Sequence, residues 1–136
     1  MPCEVAKRAG FCVGVRRAVE LAQQAAQCAK LRGIPCYSLG DVVHNPSVTQ
    51  HLRDMGVQVV SRVEDAAGGM LILRSHGVEP QVLDKCREAG IAYVDCTCPH
   101  VQSMHEIVSS RDKDVVIVGE RDHPEVQGTA GWWPVE

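Results

Sequence analysis

The chain has 136 residues, a length that suits one α/β domain, or one domain and the beginning of another. Its 14 Lys and Arg residues against 17 Asp and Glu residues give a formal net charge of -3, which argues against binding to nucleic acid through a basic surface. Hydrophobic residues make up 45% and charged residues 23%, and this composition excludes a disordered chain. The sequence has neither a membrane-spanning apolar stretch nor the apolar core of a signal peptide, so we expect a cytoplasmic protein.

Segments with strand and helix patterns alternate along the chain, and this predicts an α/β fold with a parallel sheet flanked by helices. Short apolar runs predict the strands, and apolar residues that recur at spacings of three and four predict the helices. In chain order, the predicted strands are residues 3–5, 35–39, 57–60, 70–73, 91–94 and 115–118. The predicted helices begin at Val13, at Asn45-Pro46, at Glu79-Pro80 and at Pro99, and the first three end near Gly33, Gly56 and Gly90.

The sequence predicts a domain boundary at the start of the fourth helix. Residues 1–98 suffice for one compact α/β domain, and residues 99–136 are interpreted as the beginning of a second, truncated α/β domain. Two adjacent aromatic residues, Trp132 and Trp133, would be exposed near the chain end unless something covers them. In the fourth helix, the residues expected to face inward are Val101, Met104 and Val108.

Ligands in an open α/β sheet bind outside the carboxyl ends of the strands, so the residues that follow each predicted strand are the first candidates for a site. Two of these segments carry a Cys just before a helix, three carry a His, and one of those three also carries a Glu. Because the carboxyl ends of parallel strands meet at one edge of the sheet, we expect these side chains to converge there. They are Cys12, Cys98, His44, His76, His123 and Glu125.

The chain contains seven cysteines, an odd number that does not fit a complete disulfide framework in a chain without a secretion signal. Cys12 and Cys98 lie just before predicted helices, where the partial positive charge of a helix N-terminus favours the thiolate that binds metal. Cys96 lies two residues before Cys98, and in an extended turn the two side chains would diverge, so its role stays open. The remaining thiols are expected to be structural: Cys3, Cys28, Cys36 and Cys86.

Three His residues close to helix starts suit an anion such as a diphosphate, because imidazole and free helix N–H groups both donate hydrogen bonds to phosphate oxygens. A single His of this kind is equally well interpreted as a polar turn residue, but three at one edge favour a binding site. Glu125, two residues after His123, would serve as a proton donor in a site that excludes water. The sequence assigns no role to His51, His100 and His105.

Five short motifs give the chain a family resemblance. The motifs are Gly10-Phe11-Cys12-Val13-Gly14-Val15, Val42-Val43-His44-Asn45, Ser75-His76-Gly77-Val78, Thr97-Cys98-Pro99 and His123-Pro124-Glu125-Val126-Gln127-Gly128-Thr129. In these motifs the chain resembles the N-terminal part of the 4-hydroxy-3-methylbut-2-enyl diphosphate reductases, the IspH or LytB family. The order and spacing of the motifs match over nearly the whole length of the chain.

The resemblance implies an iron–sulfur oxidoreductase of the non-mevalonate isoprenoid pathway. Such an enzyme takes up electrons and protons, removes the allylic hydroxyl of its diphosphate substrate, and releases isopentenyl and dimethylallyl diphosphates. The resemblance also implies a [4Fe–4S] cluster held by three Cys, with ferredoxin or flavodoxin as the electron donor. Transferred to this sequence, the resemblance implies that Cys12 and Cys98 are cluster ligands and that Glu125 is the catalytic proton donor. The residues implied to bind the diphosphate are His44, Asn45, His76 and His123.

The resemblance also implies a fold of three similar α/β domains around a central cleft, of which this chain covers the first and the beginning of the second. The third cluster Cys would then lie outside this chain, so we expect the chain alone to be inactive, with an absent or labile cluster. Cys96 stands where the family usually has Ala. Two alternatives stay open: a non-catalytic α/β module that binds zinc through Cys and His, and a non-functional remnant with a broken domain interface.

Overall fold

The computed structural model describes residues 2–110 and 114–133. The strands are β1 (Cys36–Leu39), β2 (Val57–Val60), β3 (Met70–Leu73) and β4 (Ala92–Asp95). The helices are α1 (Val13–Arg32), α2 (Pro46–Asp54), α3 (Pro80–Glu88), α4 (Pro99–Ser109) and α5 (Pro124–Ala130), and a 3₁₀ turn spans Val63–Ala66.

The four strands form one parallel sheet in the order β2-β1-β3-β4. Strand β3 lies inside the sheet and all four of its residues are buried, as its unbroken apolar sequence predicts for a strand covered on both faces. The predicted α/β fold with a parallel sheet flanked by helices is therefore confirmed.

Helices cover the sheet on both faces. Helices α1 and α2 pack on one face against Cys36, Met70 and Ile72, and α3 with the 3₁₀ turn packs on the other against Leu71 and Leu73. The buried face of α1 is made of small side chains, so the helix axis can approach the sheet closely. These residues are Gly14, Ala18, Ala22, Ala25, Ala26 and Ala29.

The strand order creates a crevice between β1 and β3. From β1 the chain passes through α2 to β2 on one side, and later returns to place β3 on the other side of β1. The connections that leave β1 and β3 therefore diverge at the carboxyl edge of the sheet, and such a switch point is where open α/β sheets bind ligands. His44 follows β1 and His76 follows β3, so this crevice lies between two of the candidate residues.

Two predicted strands are wrong. Residues 3–5 are irregular and exposed, because three residues with an exposed Val5 bury too little surface to hold a strand at the sheet edge. Residues 115–118 are also irregular, and Val116 and Val118 are 84% and 95% exposed. No strand in the described ranges lies beside this second segment to complete its backbone hydrogen bonds.

Helix α4 differs from the prediction in the face that it buries. Val101 and Val108 are buried as expected, but Met104 is 39% exposed and His105 is buried in its place. Burial at positions 101, 105 and 108 follows spacings of four and three, which is one regular helix face, and Met104 lies at its border. Helix α5 was not among the predicted helices, and the division into domains 1–98 and 99–136 stays a prediction.

Candidate functional site

Backbone hydrogen bonds join the loops that leave three neighbouring strands. The Ser75 amide donates to the Val42 carbonyl at 2.9 Å, and the Cys98 amide donates to the Ser75 carbonyl at the same distance. These bonds continue the ladder of the sheet beyond the ends of β1, β3 and β4. They fix the loops that carry His44, His76 and Cys98 relative to one another.

The three predicted His residues form a cluster at this edge. The ring centroids of His44 and His76 lie 4.3 Å apart, and the His123 centroid lies 6.2 Å from the first ring and 5.9 Å from the second. His123 comes from the start of α5, more than 40 residues beyond His76 in the sequence. The expected convergence of these three side chains is therefore present in the structure.

The surroundings of His76 disfavour its protonated form. Burial is the largest cause, followed by repulsion from His44, Arg74 and His123, and together they lower the pKa of His76 from 6.5 to about 4. The Nδ1 atom of His76 is buried and has no hydrogen-bond partner among the residues that the structure describes. His76 is therefore neutral near pH 7, and a nearby anion would oppose the repulsion from the three basic side chains.

A local hydrogen bond determines how His123 can contact a ligand. Its Nδ1 atom accepts a hydrogen bond from the Glu125 backbone amide at 3.2 Å, so the proton of the neutral ring lies on Nε2. Nε2–H is then free to donate to an anion. Glu125 lies in the first turn of α5, and its side chain is half-buried beside this His.

Asn45 serves first as the N-cap of α2. Its Oδ1 atom accepts hydrogen bonds from the amides of Ser47 and Val48 at 3.0 and 3.2 Å. Because this oxygen is engaged, the side-chain amide N–H₂ is what remains for a ligand. The preceding residue His44 is exposed, so its ring is open to a ligand from solvent.

The two candidate cluster ligands lie at the starts of two helices that touch. Cys12 is the N-cap of α1, is exposed, and accepts from the Val15 amide through Sγ at 3.5 Å. Cys98 is the N-cap of α4 and is partly exposed. A Cβ atom added at Gly14 would lie only 2.5 Å from the Cys98 Sγ atom, so this sulfur packs against the first turn of α1.

Three of the other cysteines are buried, Cys28 is partly exposed like Cys98, and Cys3 is exposed. Cys96 is fully buried in the core between α1 and the sheet, and burial with the nearby Asp95 carboxylate raises the pKa of its thiol to about 12. Burial also raises the pKa of Cys36 and Cys86, and Cys28 is partly buried. Cys3 lies in the irregular N-terminal segment.

The described part of the chain offers no complete metal site of its own. Within residues 2–110 and 114–133, no group of three or more His, Cys, Asp or Glu side chains has the geometry to hold a metal ion. In the same ranges, no helix combines the length and the apolar character that crossing a membrane requires.

Comparison with known proteins decides the family. The family model described as "LytB protein" matches residues 3–136, which is nearly the whole chain. The chain belongs to the LytB family. Its sequence is 44% identical over 132 residues to the 4-hydroxy-3-methylbut-2-enyl diphosphate reductase of Citrifermentans bemidjiense, and 39% identical over 131 residues to that of Aquifex aeolicus. Each match covers 94% of this chain, but only 45% and 44% of the relative, so the chain spans less than half of these LytB proteins.

Solved structures of the LytB family have the same fold in the matching region. A structure described as (E)-4-hydroxy-3-methyl-but-2-enyl diphosphate reductase, the terminal enzyme of the non-mevalonate pathway, superposes with a TM-score of 0.80 at 40% identity. The reductase structure from Plasmodium falciparum gives 0.83 at 32% identity. Both matches cover 93% of this chain, and they cover 45% and 40% of the solved chains.

Sequence reasoning missed the residues that hold the turn before Cys98 in this candidate site. The Arg17 guanidinium of α1 donates to the Thr97 carbonyl at 3.0 Å, and Asp95 accepts from the Thr97 amide at 2.9 Å. Both contacts hold the turn before Cys98 in place. The Asp95-x-Thr97 spacing is a local signal of a turn, whereas nothing in the sequence pairs Arg17 with a residue 80 positions away.

Proposed function

We propose that the chain contributes the diphosphate-binding His cluster and two cluster ligands to a 4-hydroxy-3-methylbut-2-enyl diphosphate reductase. In this reaction the substrate takes up two electrons and two protons, loses its allylic hydroxyl as water, and becomes isopentenyl or dimethylallyl diphosphate. The single observation that carries the proposal is the three-His cluster at the β1–β3 crevice, beside a turn that is hydrogen bonded to Cys98.

The His cluster suits a diphosphate because its rings offer different donors. His44 is exposed and can meet the anion first, and His123 presents Nε2–H because its Nδ1 is already engaged. His76 is neutral when the site is free, and the negative charge of a diphosphate favours its protonation. We infer that binding of the anion and protonation of His76 are coupled, and that the Asn45 amide adds a further donor.

Two exposed or partly exposed thiols at helix starts have the chemistry of cluster ligands, because thiolates bind iron–sulfur clusters and helix N-termini favour the thiolate. Cys12 and Cys98 therefore fit two of the three positions, and the third thiolate would come from residues beyond this chain's match. Cys96 does not fit, because its thiol is buried in the core. When bound, such a cluster supplies electrons to the substrate.

Glu125 is proposed as the residue that delivers protons to the leaving hydroxyl. Its carboxyl group lies two residues from His123 on the first turn of α5, and it is half-buried, which limits its exchange with bulk water. The zinc-binding alternative has no observation in its favour, since no three His, Cys, Asp or Glu side chains of the described residues are arranged to hold a metal ion.

The remaining assignments follow from the family. We propose ferredoxin or flavodoxin as electron donor, and residues 99–136 as the beginning of a second domain of the reductase. The cytoplasm is proposed as the compartment, and the seven unpaired thiols support a reducing environment. Activity is proposed for the complete reductase, and the chain alone is proposed to lack it.

Calorimetry with inorganic pyrophosphate tests whether the His cluster binds the diphosphate. We expect His44→Ala and His76→Ala to weaken binding by about tenfold each, because each removes one charge-assisted hydrogen bond of about 1.5 kcal/mol. His51→Ala is the matched control, since His51 is an exposed His on α2 outside the cluster. Equal affinities in all four proteins would contradict the proposed role of the cluster.

Anaerobic reconstitution with iron and sulfide tests the two cluster ligands. A small thiol such as 2-mercaptoethanol is included to stand in for the third ligand, which we propose lies outside this chain. We expect the unmodified chain and Cys28→Ser to take up iron and sulfide in equal amounts, and Cys12→Ser and Cys98→Ser to lose most of both. Equal iron loading in all four proteins would remove the basis for the two assigned ligands.

A further inference from the structure

His105 occupies an unusual place for a histidine of α4. It is 4% exposed, and its Nε2 atom has no hydrogen-bond partner among the described residues. The ring packs under the turn that carries His76, since a Cβ atom at Gly77 would lie 2.6 Å from the His105 Cε1 atom. The glycine at 77 is therefore required twice, for this close approach and for its positive φ of 80°.

Trp132 contacts the same turn from the end of α5. Its ring is stacked on His105, with centroids 5.0 Å apart and planes inclined by 19°. Its indole Nε1–H donates a hydrogen bond of 2.9 Å to the carbonyl oxygen of Val78, the last residue of the Ser75-His76-Gly77-Val78 turn. The side chain thus joins α4, the region after α5 and this turn at one point.

Helix α5 itself packs on the turn next to these contacts. A Cβ atom at Gly128 would lie 3.2 Å from the Gly77 carbonyl oxygen, so the helix backbone approaches the turn closely. Helix α5 begins directly after His123, and the turn contains His76. The distance between the His76 and His123 rings therefore depends on how α5 and the turn are held together.

We propose that His105 and Trp132 are positioning residues that hold the turn of residues 75–78 against α4 and α5, and so keep His76 and His123 at the spacing that one anion requires. Neither residue needs to touch the anion. The role in anion binding rests on the proposed function, whereas the positioning of His76 stands on the contacts alone. Burial lowers the pKa of His105, which keeps its stacked ring neutral despite the nearby Asp95 carboxylate.

The test compares His105→Ala with His105→Phe, which keeps a flat ring for the stack, and with His100→Ala, an exposed His of the same helix. Two quantities are measured on the full chain after a melting curve has shown that each variant is folded. They are the dissociation constant for inorganic pyrophosphate and the pKa of His76, the latter from the NMR titration of its imidazole without ligand.

We expect His105→Ala to raise the dissociation constant by about tenfold, and His105→Phe and His100→Ala to leave it within about twofold. In the same variants we expect the pKa of His76 to rise from about 4 toward 6.5 only for His105→Ala, because the relaxed turn exposes the ring to water. A purely structural role would lower the melting temperature without moving either quantity in the folded protein.

Trp132 supplies an independent pair of variants. Trp132→Phe keeps the stack and loses the hydrogen bond to Val78, whereas Trp132→Leu loses both, so we expect the larger rise in the pKa of His76 for Trp132→Leu. An unchanged pKa of His76 in His105→Ala and in Trp132→Leu would overturn the proposal. If the unmodified chain binds no pyrophosphate, the proposed function fails, and the titration of His76 still decides the positioning role.

Discussion

At the scale of single residues, the surroundings of His76 strongly disfavour its positive charge. Burial and three neighbouring basic side chains hold its pKa at about 4, so the free site carries less positive charge near pH 7 than three His and one Arg would suggest. A diphosphate counteracts both causes, since it brings negative charge and hydrogen-bond acceptors to the ring. The protonation state of His76 therefore reports on anion binding.

Binding of pyrophosphate should be coupled to proton uptake by His76 below neutral pH, because the anion raises the pKa of His76, which is about 4 in the free protein. Protonation of His76 and binding of pyrophosphate favour each other, so the contribution of His76 to pyrophosphate affinity rises as the pH falls from neutral toward about 4. Calorimetry in two buffers of different ionisation enthalpy measures the number of protons taken up.

The control for this prediction is His76→Asn, because pyrophosphate also titrates in this range and loses charge at low pH. The proton uptake that belongs to the ligand remains in the variant, and only the difference between the two proteins belongs to His76. The same proton uptake with and without His76 would show that this ring stays neutral in the complex.

Sequence alone predicted that His44, His76 and His123 converge, but not the residues that pack around them. His44 and His76 follow predicted strands that the structure contains, and the carboxyl ends of such parallel strands share one edge. His123 was expected at this edge because it follows the predicted strand 115–118, but the structure has no strand there, and His123 reaches the edge at the start of α5. Arg17 and His105 were missed because their effect arises from contacts between elements. Position along the chain indicates which edge a residue occupies, but not what packs beneath it.

At the scale of elements, the contact between α1 and α4 brings the two candidate thiols into one region. We expect Gly14→Ala to displace the Cys98 sulfur, because the new methyl group would lie 2.5 Å from it, and to lower iron uptake in the reconstitution with added thiol. The cost of such overpacking is about 1–3 kcal/mol. Helix propensity offsets little of this cost, because Gly14 is the second residue of α1 and the preference for Ala over Gly of about 1 kcal/mol applies to helix interiors.

Val13→Ala is the matched control for this contact, because Val13 lies in the same turn of α1 and is 78% exposed. It should take up as much iron and sulfide as the unmodified chain. If Gly14→Ala also loads normally, the close approach of the two helix starts has no bearing on the thiols.

Element boundaries were predictable wherever one local rule governed them. The limits of β2 and β3 agree with the prediction, because each is a short apolar run between turn residues. Helix α1 ends as predicted at its C-cap Gly33, which has the left-handed conformation expected of a helix cap. The segment 115–118 has the same apolar pattern as β3 but is no strand here. A strand needs a neighbour to pair with, and the local sequence does not reveal whether one is present.

At the scale of the whole molecule, this apolar segment is the most exposed hydrophobic feature near the C-terminal region. Val116 and Val118 leave most of their surface in water, and Ile117 between them is also exposed. Runs of exposed β-branched residues pair readily with other chains. If residues 99–136 begin a second domain, as we propose, a strand of that domain would provide the missing neighbour.

The chain as it stands should therefore self-associate through residues 115–118. We expect the double variant Val116→Lys and Val118→Lys to remain monomeric at concentrations where the unmodified chain forms larger species, with the free energy of unfolding changed by less than about 0.5 kcal/mol because both side chains are exposed. Size-exclusion chromatography with light scattering measures the masses. Leu31→Lys is the control, since Leu31 is 89% exposed on α1 but isolated from this segment, and it should leave association unchanged. A monomeric unmodified chain, or equal rescue by Leu31→Lys, would show that the exposed valines do not drive association.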